Sequence, residues 1–370
     1  MGSARDPAAD LRRIAFLLER NREPTFRVRA FRTAADVVDG LAGDELRRRD
    51  ESGSLTELAG IGATTARCIS ESLAGDVPGY LAKLEQQRSG EDDLAPATAA
   101  FRAALRGDCH THSDWSDGGS PIGEMADAAR ALGHDYLVLT DHSPRLKVAN
   151  GLTAERLERQ LDVVAELNER YADDGARPFR ILTGIEVDIL EDGTLDQKPS
   201  LLSRLDLVVA SVHSKLRMPA AEMTPRMVAA VSNPHTDVLG HCTGRLVAPH
   251  HDASRRAGGP EKSTSGRGTR PESEFDAEMV FAACARFGVA VEINSRPERL
   301  DPPTRLLRIA VDSGCLFSID TDAHAPGQLD WQPNGCERAA RCDVPMESIV
   351  NTWTADDLLA WTADHSVRSG

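Results

Sequence analysis

Residues 108–118 read D-C-H-T-H-S-D-W-S-D-G, the stretch of the chain richest in groups that bind metal ions. His110 and His112 alternate on an extended segment, so both imidazoles point to one side, and Asp117 follows in a short polar loop able to fold back toward them. Taken alone, an H-x-H pair in a chain of 11 histidines reads equally well as two solvated loop side chains. The same event recurs, however, each time an apolar run stops. Residues 136–140 run into Asp141 and His142, 181–185 into Glu186, 207–212 into His213, 238–240 into His241, and 316–319 into Asp320, Asp322 and His324. In parallel α/β architectures the carboxyl ends of the strands open on one common mouth. His110, His112, Asp117, His142, Glu186, His213, His241, Asp322 and His324 therefore converge there as candidate metal ligands. Mixed imidazole and carboxylate donors suit zinc, manganese or iron, whereas an all-oxygen set would suit magnesium.

The elements that must position these groups follow a βα rhythm. Helical stretches at 121–132, 154–171, 225–231, 276–287 and 303–313 come after the apolar runs, which is the pattern of a parallel sheet with crossover helices. Residues 346–363 read as a helical cap, with Thr354 and Asp357 placed as an N-terminal capping pair. Residues 248–274 break the rhythm: they are rich in Gly, Ser and Arg, lack apolar periodicity and are expected to form a flexible insert beside the mouth. The insert's basic half suits a phosphate backbone, and its His250 and His251 read as solvated loop side chains.

H-T-H-S-D-W-S-D-G, L-T-D-H, G-I-E, S-V-H-S, G-H-C and D-T-D-A-H resemble, in order, the successive motifs of the PHP (polymerase and histidinol phosphatase) superfamily. The resemblance implies a distorted seven-stranded β/α barrel that holds three divalent metal ions and hydrolyses phosphoesters. It further implies that His110, His112, Glu186 and Asp322 hold one ion. By the same resemblance, Glu186 would bridge to a second ion held by His213 and His241, and Asp117, His142 and His324 would hold the third. Arg245 and Arg296, close to strand ends, are candidates to bind the phosphate, as is Lys215.

The formal charge of -15 is unevenly spread. Residues 1–90 carry 14 basic and 14 acidic side chains, so the rest of the chain holds all of the excess acid. Bound divalent cations would offset part of that acid at the mouth, so the charge does not exclude a nucleic-acid partner. Seven scattered cysteines without a C-x-x-C argue against a disulfide framework and against a zinc ribbon. No apolar run approaches the length of a membrane span and the first residues lack the apolar core of a signal peptide, so a cytoplasmic location is expected.

Residues 1–88 carry a different pattern. Amphipathic helical spacing runs through residues 11–42, and L-T-E-L-A-G-I-G-A-T-T-A-R-C-I-S-E-S-L at 55–73 places a G-I-G turn between two short helical stretches. This resembles a helix-hairpin-helix, in which the turn glycines Gly60 and Gly62 let backbone N–H groups approach a DNA phosphate without reading bases. Together with N-R-E-P-T-F-R-V-R-A-F-R-T-A-A at 21–35, the segment is similar to the small N-terminal DNA-binding domain of family X DNA polymerases, whose bacterial members carry a C-terminal PHP domain. Arg27, Arg29 and Arg32 are then candidate DNA contacts. The PHP motifs follow the hairpin almost directly, leaving no room for a polymerase palm, so polymerase activity is not implied.

The expected organisation is an all-α helix-hairpin-helix domain over 1–88, a linker over 89–103 and a PHP barrel over 104–370. Three functions compete. The favoured one is metal-dependent hydrolysis of DNA phosphoesters, as a 3′-5′ exonuclease or in repair-associated processing of 3′ ends and abasic sites. A small-molecule phosphomonoesterase of the histidinol-phosphatase kind is the alternative. A non-catalytic DNA-binding scaffold is the third, and nine polar groups facing one cavity argue against it, because an idle site has no physical reason to keep them.

Overall fold

The computed structural model describes residues 5–89, 94–173, 175, 177–247 and 269–365. The chain divides into two compact units, residues 1–94 with 326–328 and residues 95–325 with 329–370.

The first unit contains the helices α1 (Pro7–Arg20), α2 (Thr25–Asp39), α3 (Gly43–Glu51), α4 (Ala63–Leu73) and α5 (Gly79–Ser89). Helix α1 starts where Asp6 accepts a hydrogen bond from the Ala8 N–H, with Pro7 at the first helical position, where no donor is lost. Leu11, Ile14, Ala15 and Leu18 then share one face and are fully buried against Val28, Phe31 and Ala35 of α2 and Ile69 of α4. A buried Asp10 accepts the Ser72 hydroxyl at 2.7 Å, tying α1 to α4. A short 3-10 turn over Leu55–Glu57 and the bend at 58–62 lead into α4. Gly60 sits at φ +96°, and a Cβ there would lie 2.8 Å from Thr33 Cγ2, so both its conformation and its neighbour require glycine.

The second unit is the barrel. Its order is α6 (Pro96–Ala104), β1 (Gly107–Thr111), α7 (Ile122–Ala131), β2 (Tyr136–Leu139), α8 (Ala154–Asp173), β3 (Arg180–Asp188), α9 (Pro199–Leu202) and β4 (Leu207–Ser211). It continues with α10 (Ala220–Val231), β5 (Val238–Leu239), α11 (Ala277–Phe287), β6 (Ala290–Asn294), α12 (Thr304–Asp312), β7 (Leu316–Asp320), α13 (Gln332–Arg341) and α14 (Ala355–His365). All seven strands are parallel and pair in sequence order. A bridge between Thr111 and Ala323 brings the last strand end back to the first. The strands are buried nearly throughout, as strands covered on both faces must be.

Strand β3 carries the main distortion. Its first half, 180–183, pairs with β2, and its second half, 184–188, pairs with β4. Gly184 marks the change: a Cβ there would meet Leu207 O at 2.8 Å and Val138 Cγ1 at 2.9 Å. Glu186 follows two residues later on the same strand, which sends its side chain to the same face at the mouth.

Three features differ from the sequence expectation. Most of residues 96–104 fall in the expected linker, whose L-A-P-A-T-A-A-F half can pack on the barrel, and they form α6 in the barrel unit, with Pro96 at its first turn and Phe101 in the barrel's apolar core. Helix α10 begins at Ala220, five residues before the expected start, and accommodates Pro225 within its first turns. Within the expected insert, residues 248–268, including His250 and His251, lie outside the described residues. Arg270 nevertheless bridges to Leu246, and the Ser273 N–H reaches Thr243 O at 2.8 Å, so the insert's last part is anchored. At the C-terminus, Thr354 does cap α14: the Asp357 N–H donates to its hydroxyl at 3.1 Å and the hydroxyl donates to Asp357 Oδ2 at 2.6 Å.

Candidate metal centre

Glu186 is fully buried, and its two oxygens are divided among five imidazoles. His142 Nδ1 lies 2.7 Å from Oε2, with His110 Nε2 at 3.4 Å and His112 Nε2 at 3.7 Å. His241 Nε2 lies 2.9 Å from Oε1 and His213 Nε2 at 3.3 Å. On the far side, Asp117 Oδ1 stands 3.5 Å from His142 Nε2 and 3.4 Å from His324 Nε2, and Asp322 Oδ1 stands 3.4 Å from His112 Nε2. All nine sequence candidates therefore border one cluster.

The fit of this cluster to metal ions rests on what these atoms lack. Both Glu186 oxygens, His110 Nε2, both nitrogens of His112, His142 Nδ1, His213 Nε2 and both nitrogens of His241 are buried with no hydrogen-bond partner among the described residues. Orphaned polar atoms of this kind are costly in a folded protein unless something else satisfies them. Cations shared between imidazole lone pairs and carboxylate oxygens would do so. Donor atoms fall within 4.8 Å of one another in three groups: His112, Asp117, His142 and His324; His110, His112 and Glu186; His142, Glu186 and His213.

The electrostatics of the metal-free protein point the same way. Burial would raise the Glu186 carboxyl, but the charges of His110, His213 and His142 outweigh it and hold the group well below the usual carboxylate range. Burial would lower His213, but Glu186 and Asp188 win and push it up to about 9. His110 is likewise raised, by Glu186 and Glu292 acting against burial. His112 goes the other way, lowered by burial and by the neighbouring His324 and His142. The cluster thus holds protons in places that metal ions would take.

Several residues the sequence did not single out hold these ligands in place. Asp188 Oδ1 lies 3.0 Å from His213 Nδ1 and accepts the His213 N–H at 3.1 Å. Glu292 Oε1 lies 2.7 Å from His110 Nδ1. Asp141, next to His142, points away from the cluster and instead gathers Ser113, Ser116 and Gln160, shaping the loop that carries Asp117. Arg299 donates through Nε to Asp322 Oδ2 at 2.8 Å, and its Nη1 is buried without a partner. For Asp188, Glu292 and Asp141 the signal is an acidic residue inside or just after an apolar strand, as in V-E-I-N at 291–294, whereas Arg299 lies in the loop beyond β6 and has no such signal.

Of the arginines expected at the phosphate, Arg296 stands at the site. Its Nη1 is 3.2 Å from the Asp322 carbonyl and 3.7 Å from Asp322 Oδ1. Arg245 does not. Its guanidinium donates to the carbonyls of Arg299 and Leu300 and reaches Glu272 at 3.4 Å. The reason is local: Leu300 turns left-handed at φ 46°, and Arg245 binds the carbonyls at that turn. Arg245 therefore holds the segment that carries Arg299. Lys215 is exposed.

In the helical unit, Gly62 caps α4 with open space around it, and its N–H donates to the Thr65 hydroxyl at 2.9 Å. Arg29 is exposed, beside Phe26 at 74% exposure. Arg27 and Arg32 are not free for DNA. Arg27 pairs with Glu23 at 2.5 Å, one helical turn away, and bonds Tyr80 Oη at 2.7 Å, while Arg32 grips Glu19 at 2.8 Å. No helix among the described residues is long and apolar enough to cross a membrane. All seven cysteines are buried and unpaired.

Comparison with known proteins identifies the family. Residues 108–296 match the family described as PHP domain, and residues 4–77 match a helix-hairpin-helix domain. The chain is similar to the DNA polymerase/3′-5′ exonuclease PolX of Bacillus subtilis (strain 168), at 37% identity over 257 residues that cover 70% of this chain and 41% of that protein. It is also similar to a probable phosphatase of Acetivibrio thermocellus, at 33% identity over 254 residues, 66% of this chain and 90% of that one. Among solved structures, the histidinol phosphate phosphatase of Lactococcus lactis subsp. lactis, complexed with zinc, L-histidinol and phosphate, aligns at 17% identity with a TM-score of 0.42, covering 64% of this chain and 92% of that one. With the motifs, the seven-stranded barrel and the matched residues in agreement, the chain belongs to the PHP domain family and carries a helix-hairpin-helix domain before its barrel.

Proposed function

We propose that the protein is a metal-dependent phosphoesterase acting on DNA, as a 3′-5′ exonuclease or in repair-associated processing of 3′ ends and abasic sites. The observation that carries the hydrolytic reading is Glu186, whose buried oxygens face five imidazoles within 3.7 Å without a hydrogen bond to any of them. Three divalent ions, zinc, manganese or iron, are the proposed occupants. His110, His112, Glu186 and Asp322 would hold one, Glu186 with His213 and His241 the second, and Asp117, His142 and His324 the third. Bound there, the ions supply a nucleophile at neutral pH and neutralise phosphoryl charge. Arg296 presents its guanidinium at the mouth to orient a non-bridging oxygen, and Arg299 keeps Asp322 ionised and fixed. No nucleophilic Ser or Cys is required, in keeping with the burial of every cysteine.

DNA as the substrate is supported by the hairpin domain and by the relative named as a 3′-5′ exonuclease, of which this chain spans 41%. A small-molecule phosphomonoesterase is the second reading, favoured by a relative named as a probable phosphatase and matched over 90% of its length. The test is metal-free protein reloaded with manganese or zinc and offered 3′-labelled DNA beside histidinol phosphate. Shortening of the DNA, lost in His112→Ala protein that melts like the metal-free wild type, is the expected result. Turnover of histidinol phosphate alone would move the assignment to the second reading.

A further inference from the structure

Glu292 is fully buried on β6, with Oε1 2.7 Å from His110 Nδ1 and Oε2 accepting the backbone N–H of His241. The two histidines it holds face opposite oxygens of Glu186: His110 Nε2 lies 3.4 Å from Oε2, and His241 Nε2 lies 2.9 Å from Oε1. They come from separate parts of the barrel, His110 from β1 and His241 from the residues just after β5. One carboxylate thus spans the two sides of the carboxylate that the metal reading treats as a bridge.

We propose that Glu292 is a positioning residue that couples two of the ion sites, an inference that rests on the metal-dependent reading above. By accepting from His110 Nδ1 it fixes that ring as the Nδ1–H tautomer, leaving the Nε2 lone pair aimed toward Glu186 and available to a cation. By accepting the His241 N–H it sets the height at which that imidazole meets the other Glu186 oxygen. Asp188 offers a built-in contrast, because its Oδ1 alone takes both the ring and the backbone N–H of His213 and so serves a single ligand. A change at Glu292 therefore disturbs two ions, whereas a change at Asp188 disturbs one.

Glu292→Gln keeps the size of the side chain but places an NH2 group where one of two donors must be accepted. The experiment is metal content by elemental analysis together with chelator competition, on full-length wild type, Glu292→Gln and Asp188→Asn. The expected result is about a 10- to 100-fold weaker hold on two ions in Glu292→Gln and on one in Asp188→Asn, with the remaining ions unchanged. Weakening of one ion or none in a folded Glu292→Gln protein would overturn the proposal. If that variant does not fold, nitrogen-15 spectra of the zinc-loaded wild type decide: His110 protonated on Nδ1 supports the coupling, and protonation on Nε2 removes it. Wild-type protein that takes up no ions would instead remove the metal-dependent reading itself, which keeps the two failures apart.

Discussion

Arg299 donates through Nε to Oδ2 of Asp322 at 2.8 Å, forming an ion pair at the edge of the histidine cluster in which Asp322 is 1% exposed. Burial would raise the Asp322 carboxyl, but Arg299 and then Arg296 hold it well below the usual carboxylate range. The Asp322 backbone itself sits at φ 53°, a left-handed conformation that aspartate tolerates better than most residues. The buried Arg299 guanidinium bonded to its side chain keeps this carboxylate in one place.

Arg299→Gln is therefore expected to loosen Asp322 and to lower metal affinity and kcat together, by about 10- to 100-fold, on DNA and on a small chromogenic phosphoester alike. Steady-state kinetics paired with elemental analysis checks this. Full metal content in a variant whose kcat has fallen would instead give Arg299 a role beyond ligand support.

Metal uptake should release protons. His110 is raised above the ordinary histidine range and His213 to about 9, so both carry protons at neutral pH in the metal-free protein. A ligating imidazole must be neutral, so protons compete with metal below the raised value, and apparent affinity rises with pH until about 9. Zinc titrated into weakly buffered metal-free protein should liberate roughly two protons from these two groups. An affinity that stays flat across this range, with no acidification, would contradict the protonated cluster.

The strand ends and the helices between them were legible because a ligand that follows an apolar run has a register, and register fixes direction. His110, His112, Glu186 and Asp322 needed only that. Arg299 was not legible, since a charged residue in a loop beyond a strand reads as a surface group until its neighbours are known, and Glu292 shows in the sequence only as an acid inside an apolar run, with no sign of which ligands it holds. Arg245 misled for the same reason: its distance from His241 along the chain was right, but the left-handed turn at Leu300 drew its guanidinium to backbone carbonyls. The resemblance of residues 21–35 points to Arg27 and Arg32 as DNA contacts, but it does not reveal their partners Glu23 and Glu19. Helix α6 was only half legible: the polar, proline-containing residues before it read as a linker, while the apolar L-A-P-A-T-A-A-F half pointed to the barrel.

His134 supplies a stability prediction. Its Nε2 bonds Gln332 Oε1 at 3.0 Å, its Nδ1 is buried without a partner, and burial lowers it to about 3, helped by the charge of Arg102. The folded protein therefore keeps it neutral, while the unfolded chain takes up a proton below about pH 6.5. Stability from this group is intact above that value and is lost as pH falls toward about 3. At about pH 5 the loss should be about 2 kcal/mol. Urea unfolding with chelator present, comparing wild type with His134→Gln, isolates it: the difference in stability should shrink by that amount between about pH 7.5 and about pH 5. An unchanged difference would mean that His134 takes up its proton as readily in the folded protein as in the unfolded chain.

The two hairpin glycines should separate folding from DNA binding. Gly60, at φ +96° and with Thr33 Cγ2 2.8 Å from any added Cβ, is a folding requirement, and Gly60→Ala should destabilise the helical unit by roughly 1–2 kcal/mol. Gly62 has no atom within 4 Å of an added Cβ and no positive φ, so Gly62→Val should leave the melting temperature nearly unchanged while blocking close approach of a phosphate to the α4 N-terminus. DNA turnover by Gly62→Val should then fall and its dependence on salt should flatten, because a backbone contact has been lost. Hydrolysis of a small chromogenic phosphoester, which needs only the barrel mouth, should match wild type. Equal losses on both substrates would show that the helical unit supports the barrel rather than delivering DNA, and an unaltered salt slope on DNA would place the phosphate contact elsewhere than the hairpin.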